Sequence, residues 1–516
     1  MLRSLIIKFT PLVFLQHVEN ILLRSYGMSK NLLAHSNPAL LELLSERKAL
    51  AMLYKVEREV PAYQKFLEEH KIDLGEIYSI KEFNTILPET TKENYVKKNK
   101  MEAVFRGGRL PNQGVIEESS GSSGHPTDWV KAIEEDKLLQ LEVNFESKYL
   151  FNLPKKSIII SCWSPGPWAT DLKFCELFEH QGLLKNIGPN IDSIIETLRK
   201  YGPTYHYLIA GYPPFCRGLF EKTKNVFPWK KYDIDLLVGG EGFVIGWREH
   251  IKNIIGKKAR IFSCYGASDV DIGIAFETPY SIFIRELLMK NKKMQEALSL
   301  VGKFPMIFQY NPLAHYIANT TRVTEQNKVI EEFTITPLDP NIGAPKIKYN
   351  LHDEGKKISY LEMNGIITKY APAELQRFIK ESTSTRLHLP FLLVTGRSDG
   401  TISINGTNIY PQQVEIALMK DKKLFSYLHT FRISGKVRDR EQFIVKIELN
   451  LEVKRSKELE SKFTRSLLRD LVLVSEEYQQ AFGEFPDIFT PRVELYHHGE
   501  GPFMGAHTRI KHKYIE

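Results

Sequence analysis

The sequence predicts an α/β protein, with a large N-terminal domain of helices layered on β-sheets and a small α+β domain after it. Before residue 110, apolar residues recur at helical spacing. Between residues 155 and 340, short apolar runs that end in glycine or proline alternate with longer mixed stretches, as strands and helices do in α/β sheets. After residue 440, a strand-like alternation precedes an apolar repeat at helical spacing.

The chain is long enough to require more than one domain, since its 516 residues exceed what a single hydrophobic core supports. We predict a helical region over residues 1–110 that packs on the large domain, a core of that domain over 111–398, and a small domain over 399–516. Pro61 is expected to begin a new helix, because proline suits the first helical position.

Several individual elements can be predicted from local patterns. Short apolar runs predict four strands of the large domain, at Ile158–Ile160, Leu208–Ala210, Leu236–Val238 and Arg260–Phe262. In the small domain, alternation predicts a strand through Phe443, Val445, Ile447 and Leu449. A four-residue repeat then predicts a helix face of Leu459, Phe463, Leu467 and Leu471.

Composition excludes several functional classes. The net charge of +8 is scattered, and no Lys/Arg block is interleaved with aromatic residues, so we expect no nucleic-acid partner. The four cysteines lack metal or redox spacing and predict free thiols in a reducing cytoplasm. The apolar stretch Leu5–Leu15 is too short to span a bilayer. We expect it to pack on the protein as a helix, with an interfacial anchor as the alternative.

The segment that carries most chemical information is Ser119-Ser120-Gly121-Ser122-Ser123-Gly124-His125-Pro126-Thr127. Glycines allow the backbone N–H groups to approach an anion closely, and the hydroxyls add further donors. The spacing differs from that of a Walker loop, which ends in Gly-Lys-Ser/Thr. A flexible Ser/Gly linker is the alternative interpretation.

This loop resembles the phosphate loop of the adenylate-forming (acyl-CoA synthetase/ligase) superfamily, and in particular of its phenylacetate–CoA ligase-like branch. Further segments resemble the family's motifs in the family's order, and the match runs from about residue 50 to the end. These segments are Gly239-Gly240-Glu241, Tyr265-Gly266-Ala267-Ser268-Asp269, Pro345–Tyr349 with Asp353, and Thr395–Glu415.

The resemblance implies a role for each matched residue. Ser119, Ser120, Gly121, Ser122, Ser123 and Gly124 would hold phosphates, Gly240, Glu241, Tyr265 and Gly266 would flank the adenine, and Asp353 would bind the ribose. Ser268 would contact the α-phosphate, Arg397 would reach the nucleotide, and Asp269 would help to hold Mg²⁺. The catalytic lysine would be Lys511, with Lys513 as the alternative.

The implied activity is activation of a carboxylic acid with ATP, followed by acyl transfer to coenzyme A as the small domain rotates. The family's acid pocket maps to Trp163, Trp168, Tyr212, Phe215 and Gly240, whose aromatic walls favour an aryl or arylalkyl acid. Two alternatives stay open: transfer to an amine or a sugar, and a divergent nucleotide-binding protein without catalysis. The sequence also leaves a homodimer open.

Four departures from the family's pattern predict a divergent member. His125 replaces a lysine, so a fixed charge becomes dependent on pH. Asp269 is shorter than the usual glutamate, and Lys348 lacks the bidentate fork of arginine. Ile510 replaces the glycine before the C-terminal lysine.

Overall fold

The computed structural model describes residues 21–118, 127–301, 303–323, 329–382, 384–397, 402–404, 407–437 and 440–504. The first described part is helical, with α1 at Tyr26–His35, α2 at Pro38–Glu59, α3 at Pro61–Glu69 and α4 at Ile80–Ile86. Helix α2 ends where it does because Pro61 cannot continue its hydrogen bonding, and Pro61 begins α3 instead. None of the described helices combines the length and apolar character needed to cross a membrane, and Leu5–Leu15 lies outside the described residues.

A short hairpin and a series of alternating strands and helices follow. The strands are β1 at Gly114–Glu118, β2 at Asp128–Ala132, β3 at Ser157–Ser161, β4 at Leu183–Asn186, β5 at His206–Gly211, β6 at Asp233–Gly239, β7 at Ile261–Ala267 and β8 at Asp271–Phe276. The helices between them are α5 at Asp136–Leu150, α6 at Ala169–Phe178, α7 at Ile191–Tyr201, α8 at Pro213–Thr223 and α9 at Ile245–Ile255. All four predicted strands of the large domain are confirmed.

The next part is mainly antiparallel. It contains α10 at Pro279–Leu288, α11 at Lys292–Ala297, β9 at Met306–Gln309, β10 at His315–Val323, β11 at Val329–Pro337, β12 at Tyr349–Ile358, α12 at Tyr360–Tyr370, α13 at Pro372–Glu381 and β13 at Phe391–Arg397. The last part contains β14 at Ile402–Ile404, β15 at Thr407–Ile409, α14 at Pro411–Lys420, α15 at Lys422–Tyr427, β16 at Leu428–Val437, β17 at Arg440–Leu449, α16 at Lys457–Val474, α17 at Glu476–Glu484, α18 at Pro486–Phe489 and β18 at Arg492–Tyr496.

One eleven-stranded sheet organises the chain up to residue 397, in the order β10-β11-β12-β13-β9-β8-β7-β6-β5-β3-β4. Five neighbouring strands of this sheet are parallel, in the order β4-β3-β5-β6-β7. Strands β3 and β5 are buried along their whole length, as expected for central parallel strands. Strands β8 and β9 share a single residue pair, Phe276 with Gln309. The sheet is therefore weakly joined at this position.

A separate hydrophobic cluster lies between Ile402 and Leu495, around β16, β17 and α16. This unit docks on α8 and α9 of the first part. The Arg217 guanidinium lies 3.9 Å from the centre of the Phe425 ring, and its Nη2 donates to the Leu428 carbonyl at 3.4 Å. A Cβ at Gly246 would lie 3.1 Å from Met419 Cε, so glycine permits the close approach of α9 and α14.

Candidate functional site

The Tyr-Gly-Ala-Ser-Asp segment forms a tight hairpin between β7 and β8, with Ser268, Asp269 and Val270 at its turn. The strand register shifts between Tyr265 and Ala267. A Cβ at Gly266 would lie 2.2 Å from the Ile272 carbonyl oxygen, which no side chain tolerates. Glycine is thus required by the backbone contact that shapes this hairpin.

Three of the predicted nucleotide residues converge at one place. Tyr265 donates its hydroxyl to Asp353 Oδ2 at 2.5 Å, although 88 residues separate them. Asp353 is paired in register with Arg397 across β12 and β13. Asp353 lies inside β12.

This convergence requires a curved sheet. Four strand spacings separate β7 from β12 in the sheet order, which would be about 19 Å if the sheet were flat. That distance exceeds the reach of a tyrosine. The Tyr265 ring also contacts the Phe308 ring at 5.9 Å and the Phe333 ring at 6.0 Å, from strands β9 and β11. The sheet therefore folds over its weak β8–β9 junction.

Asp269 is already well satisfied by protein groups. Its Oδ1 lies 3.1 Å from Lys92 Nζ, and its Oδ2 accepts a hydrogen bond from Tyr349 at 2.8 Å. The carboxylate is almost buried. A magnesium ion would have to displace Lys92, so these contacts do not fit the predicted metal ligand.

A second lysine approaches the same carboxylate. Burial and the nearby Lys131 lower the pKa of Lys346 to about 7, against the opposing effect of Asp269. Both ammonium groups lie near the Trp129 ring, with Lys92 Nζ 5.4 Å and Lys346 Nζ 5.0 Å from its centre. The result is a cluster of lysines around the Asp269 carboxylate.

The predicted phosphate loop comes shortly before Trp129 and Lys131 in the sequence. Residues 119–126, including Ser119, Ser120, Gly121, Ser122, Ser123 and Gly124, are outside the described residues. The flanking strands β1 and β2 pair from Gly114 with Ala132 to Glu118 with Asp128, so the loop connects a hairpin. Lys131 of β2 donates to the Val270 carbonyl at 3.0 Å, which ties this hairpin to the Ser268–Val270 turn.

A polar cavity opens beside the turn. Its lining includes Ser268, Lys131, Lys173, Glu117 and His315. Lys173 and Glu117 form a buried pair 3.6 Å apart. Such a lining suits a polar or ionic ligand group, and it brings Ser268 to the same side of the hairpin as Lys131.

The predicted aromatic wall is partly assembled. The Trp163 and Tyr212 rings meet edge to face at 4.6 Å. Gly240 has a φ of +78°, and a Cβ there would lie 2.6 Å from Tyr212 Cε1. Phe215 packs against the same cluster as Trp163 and Tyr212. Trp168 lies at the start of α6, and its backbone forms a β-bridge with Glu118.

Lys92, Trp129 and Lys346 were not predicted from the sequence as site residues. Lys346 lies within Pro345–Tyr349, a segment that resembles a family motif, and this was the available signal; Lys92 and Trp129 lie outside those segments. Lys348, which stands where arginine is common, has a structural role instead. Its ammonium donates to the carbonyls of Asn84 and Leu87, both at 2.7 Å.

Comparisons with known proteins identify the architecture. Models of protein families give no match, and neither do curated protein sequences. In structure, the chain is similar to 2-hydroxyisobutyryl-CoA ligase in the postadenylation state in complex with R3-HIB-AMP, with a TM-score of 0.65 and 13% identity, over 94% of this chain and 91% of that chain. The chain has the adenylate-forming enzyme fold. The predicted fold class is therefore confirmed.

The same ligase in other states gives lower similarity to this fold. In complex with 2-HIB-AMP and CoA in the thioesterification state, the TM-score is 0.52, with 13% identity over 94% of this chain and 91% of that chain. The open conformation with the same ligands gives 0.51, with 14% identity over 93% of this chain and 92% of that chain. Coverage is nearly equal in the three comparisons, so the higher TM-score means that this chain superposes better on the postadenylation-state structure.

Proposed function

We propose that this chain activates a carboxylic acid with ATP as an acyl adenylate and then transfers the acyl group to coenzyme A. The observation that carries the proposal is the contact between Tyr265 and Asp353, with Arg397 opposite Asp353 on the next strand. An aromatic ring and a carboxylate at the carboxyl-terminal side of a sheet suit a purine and a ribose. The similarity to an acyl-CoA ligase in structure supports the same reaction class.

In the first half-reaction, a carboxylate oxygen attacks the α-phosphorus of ATP, and the bond to pyrophosphate breaks. Tyr265 would stack on the adenine, Asp353 would accept hydrogen bonds from the ribose hydroxyls, and Ser268 would donate to the α-phosphate. Lys92 and Lys346 add positive charge near the phosphates, which favours a polyanionic ligand. Lys511, outside the described residues, would stabilise the developing charge.

In the second half-reaction, a thiolate sulfur attacks the acyl carbon, and AMP leaves with the electron pair of the C–O bond. Coenzyme A is the proposed acceptor. An amine or a sugar hydroxyl would attack the same carbon in the same way. We assign the chain to a phenylacetate–CoA ligase-like branch on its sequence motifs, and the adjoining rings of Trp163 and Tyr212 favour an aryl or arylalkyl acid.

The decisive test is acid-dependent exchange of labelled pyrophosphate into ATP, run on the full chain with a panel of aryl, arylalkyl and aliphatic acids. We expect exchange with at least one aryl or arylalkyl acid, and thioester formation when coenzyme A is added. Exchange followed by transfer only to an amine or a sugar would replace coenzyme A as the acceptor. ATP binding without exchange for any acid would establish a non-catalytic nucleotide-binding protein.

We expect Lys346 to take up a proton when ATP binds. At pH 8 this lysine is mostly neutral, because its pKa of about 7 lies below the pH. Phosphates nearby favour the charged form and raise that pKa, so the complex should take up as much as about one proton. Titration calorimetry in buffers of different ionisation enthalpy measures this uptake.

The uptake should be much smaller at pH 6, where Lys346 is already protonated, and absent in Lys346→Met. Lys348→Met is the matched control, because that buried lysine also has a lowered pKa but points toward Asn84 and Leu87. Equal uptake in Lys346→Met and the wild type would place the phosphates away from this lysine.

Arg217 joins the small unit to α8, and we expect its substitution to change the rate of one half-reaction only. Arg217 contacts Phe425 and the Leu428 carbonyl. Burial raises the pKa of the Glu415 carboxyl, and the charge of Arg217 opposes that rise. Because this chain superposes better on the postadenylation-state structure, Arg217→Ala should slow adenylation by about 10-fold, consistent with loss of one cation–π contact. Transfer from a supplied acyl adenylate should change little.

Both half-reactions are measured separately for this test, by pyrophosphate exchange and by thioester formation from the isolated adenylate. Lys222→Ala removes an exposed lysine from the same helix and is the matched control. An equal loss in both half-reactions, or none in either, would show that this contact does not select the adenylation arrangement.

A further inference from the structure

A cluster of metal-ligating side chains lies in the small unit, apart from the nucleotide site. It consists of His429, Glu448 and His498, each of which offers one donor atom, and these three atoms lie within 4.8 Å of one another. Glu448 is fully buried, and both histidines are half-buried. The proposed adenylation chemistry uses none of them.

The backbone brings these side chains together in a specific way. Leu428 pairs with Leu449, but Thr430 pairs with Glu448, so His429 is the extra residue of a β-bulge between β16 and β17. His429 and Thr430 therefore both lie opposite Glu448. Glu448 alternates with Ile447 and Leu449, which belong to the hydrophobic cluster, so its side chain lies on the other face of the sheet.

The third side chain comes from the turn after β18. Glu448 pairs with Tyr496 across β17 and β18, so His498 follows two residues beyond that pair. The turn is held in place by hydrogen bonds from Gly499 N to Glu448 Oε1 at 2.6 Å and from His497 N to Glu500 Oε2 at 2.9 Å. These bonds orient the carboxylate and the turn before any ligand binds.

One donor spacing in the cluster matches that around a tetrahedral metal ion. Ligands of a zinc with bonds of about 2.0–2.1 Å lie about 3.3 Å from one another. The distance from His498 Nδ1 to Glu448 Oε1 is 3.2 Å. The imidazole rings of His429 and His498 are 4.6 Å apart and nearly perpendicular, at 84°, so they converge without stacking.

We propose that His429, Glu448 and His498 bind a divalent transition metal ion, with zinc as the best match to two imidazoles and one carboxylate. This ligand set is of a known zinc type, and it leaves a position for a fourth ligand. The ion would join the bulge of β16, the end of β17 and the turn after β18. The rival interpretation is an ion pair between Glu448 and a protonated His498, with no metal.

The test uses the full chain without a polyhistidine tag, stripped with a chelator and titrated with Zn²⁺. We expect about one tightly bound zinc per chain, and binding weakened by about 100-fold or more in His429→Gln and in His498→Gln, since even outer-shell changes cost 10–100-fold. The control is His497→Gln, an exposed neighbour outside the cluster, which should bind as the wild type does.

Two further measurements keep the test independent of variant stability. Zinc should raise the unfolding temperature of the wild type, because it binds only the folded state, and this rise should vanish in the double variant His429→Gln/His498→Gln. Cobalt bound to the wild type should show the intense visible absorption of a tetrahedral site. The metal site is rejected if the wild type binds no zinc, if the double variant binds it equally well, or if cobalt gives only the weak spectrum of the hydrated ion.

Discussion

Asp353→Ala is expected to raise the dissociation constant of ATP by about 10²-fold or more. The ribose would lose two hydrogen bonds to an ionised carboxylate, each worth about 1.5–3 kcal/mol. The change should also release the Tyr265 hydroxyl, which Asp353 Oδ2 accepts at 2.5 Å in the present arrangement. Calorimetric titration with ATP measures the affinity, and pyrophosphate exchange should fall with it at subsaturating ATP.

Glu331→Gln is the matched control for Asp353→Ala. Glu331 also projects from the large sheet, but it is half-exposed and pairs with Lys356 at 3.4 Å. It should leave ATP affinity unchanged. If Asp353→Ala binds ATP as tightly as Glu331→Gln does, Asp353 does not hold the ribose, and the proposed nucleotide site is wrong at its centre.

Lys511→Ala is expected to slow adenylation by about 10²–10³-fold, the usual cost of removing one preorganised donor from a developing negative charge. Formation of the thioester from a supplied acyl adenylate should be nearly unaffected, because that step no longer expels pyrophosphate. Single-turnover assays of the two half-reactions separate these effects.

Lys513→Ala distinguishes the two candidate lysines of the C-terminal segment. It should retain adenylation near the wild-type rate if Lys511 is the catalytic residue. The reverse result would move the assignment to Lys513. Retention of full adenylation by both variants would remove this segment from the catalytic machinery.

Local elements could be predicted well because hydrophobic periodicity depends only on neighbouring residues. The predicted helix face in the small unit is an example, since Phe463, Leu467 and Leu471 are fully buried on α16. Proline chemistry was similarly reliable, as Pro61 begins α3. In both cases the physical cause acts within one or two turns of the chain.

The interpretation of Asp269 shows the limit of motif matching. The motif placed it correctly at the hairpin turn beside Tyr265 and Gly266, and it suggested a metal ligand. Its actual neighbours, Lys92 and Tyr349, come from distant parts of the chain. An ion pair and a hydrogen bond change what the carboxylate can bind, and neither contact can be inferred from the residues next to it.

The order of motifs and the residue types were enough to predict the α/β class, four strands of the eleven-stranded sheet and which residues to search for around a nucleotide. Tertiary structure determined which of these residues lie close together. Tyr265 reaches Asp353 because the sheet folds over where β8 and β9 share one pair, and His498 lies near Glu448 because β18 pairs beside β17. Sheet curvature and strand register arise from packing across the whole molecule, so a local pattern of residues does not encode them.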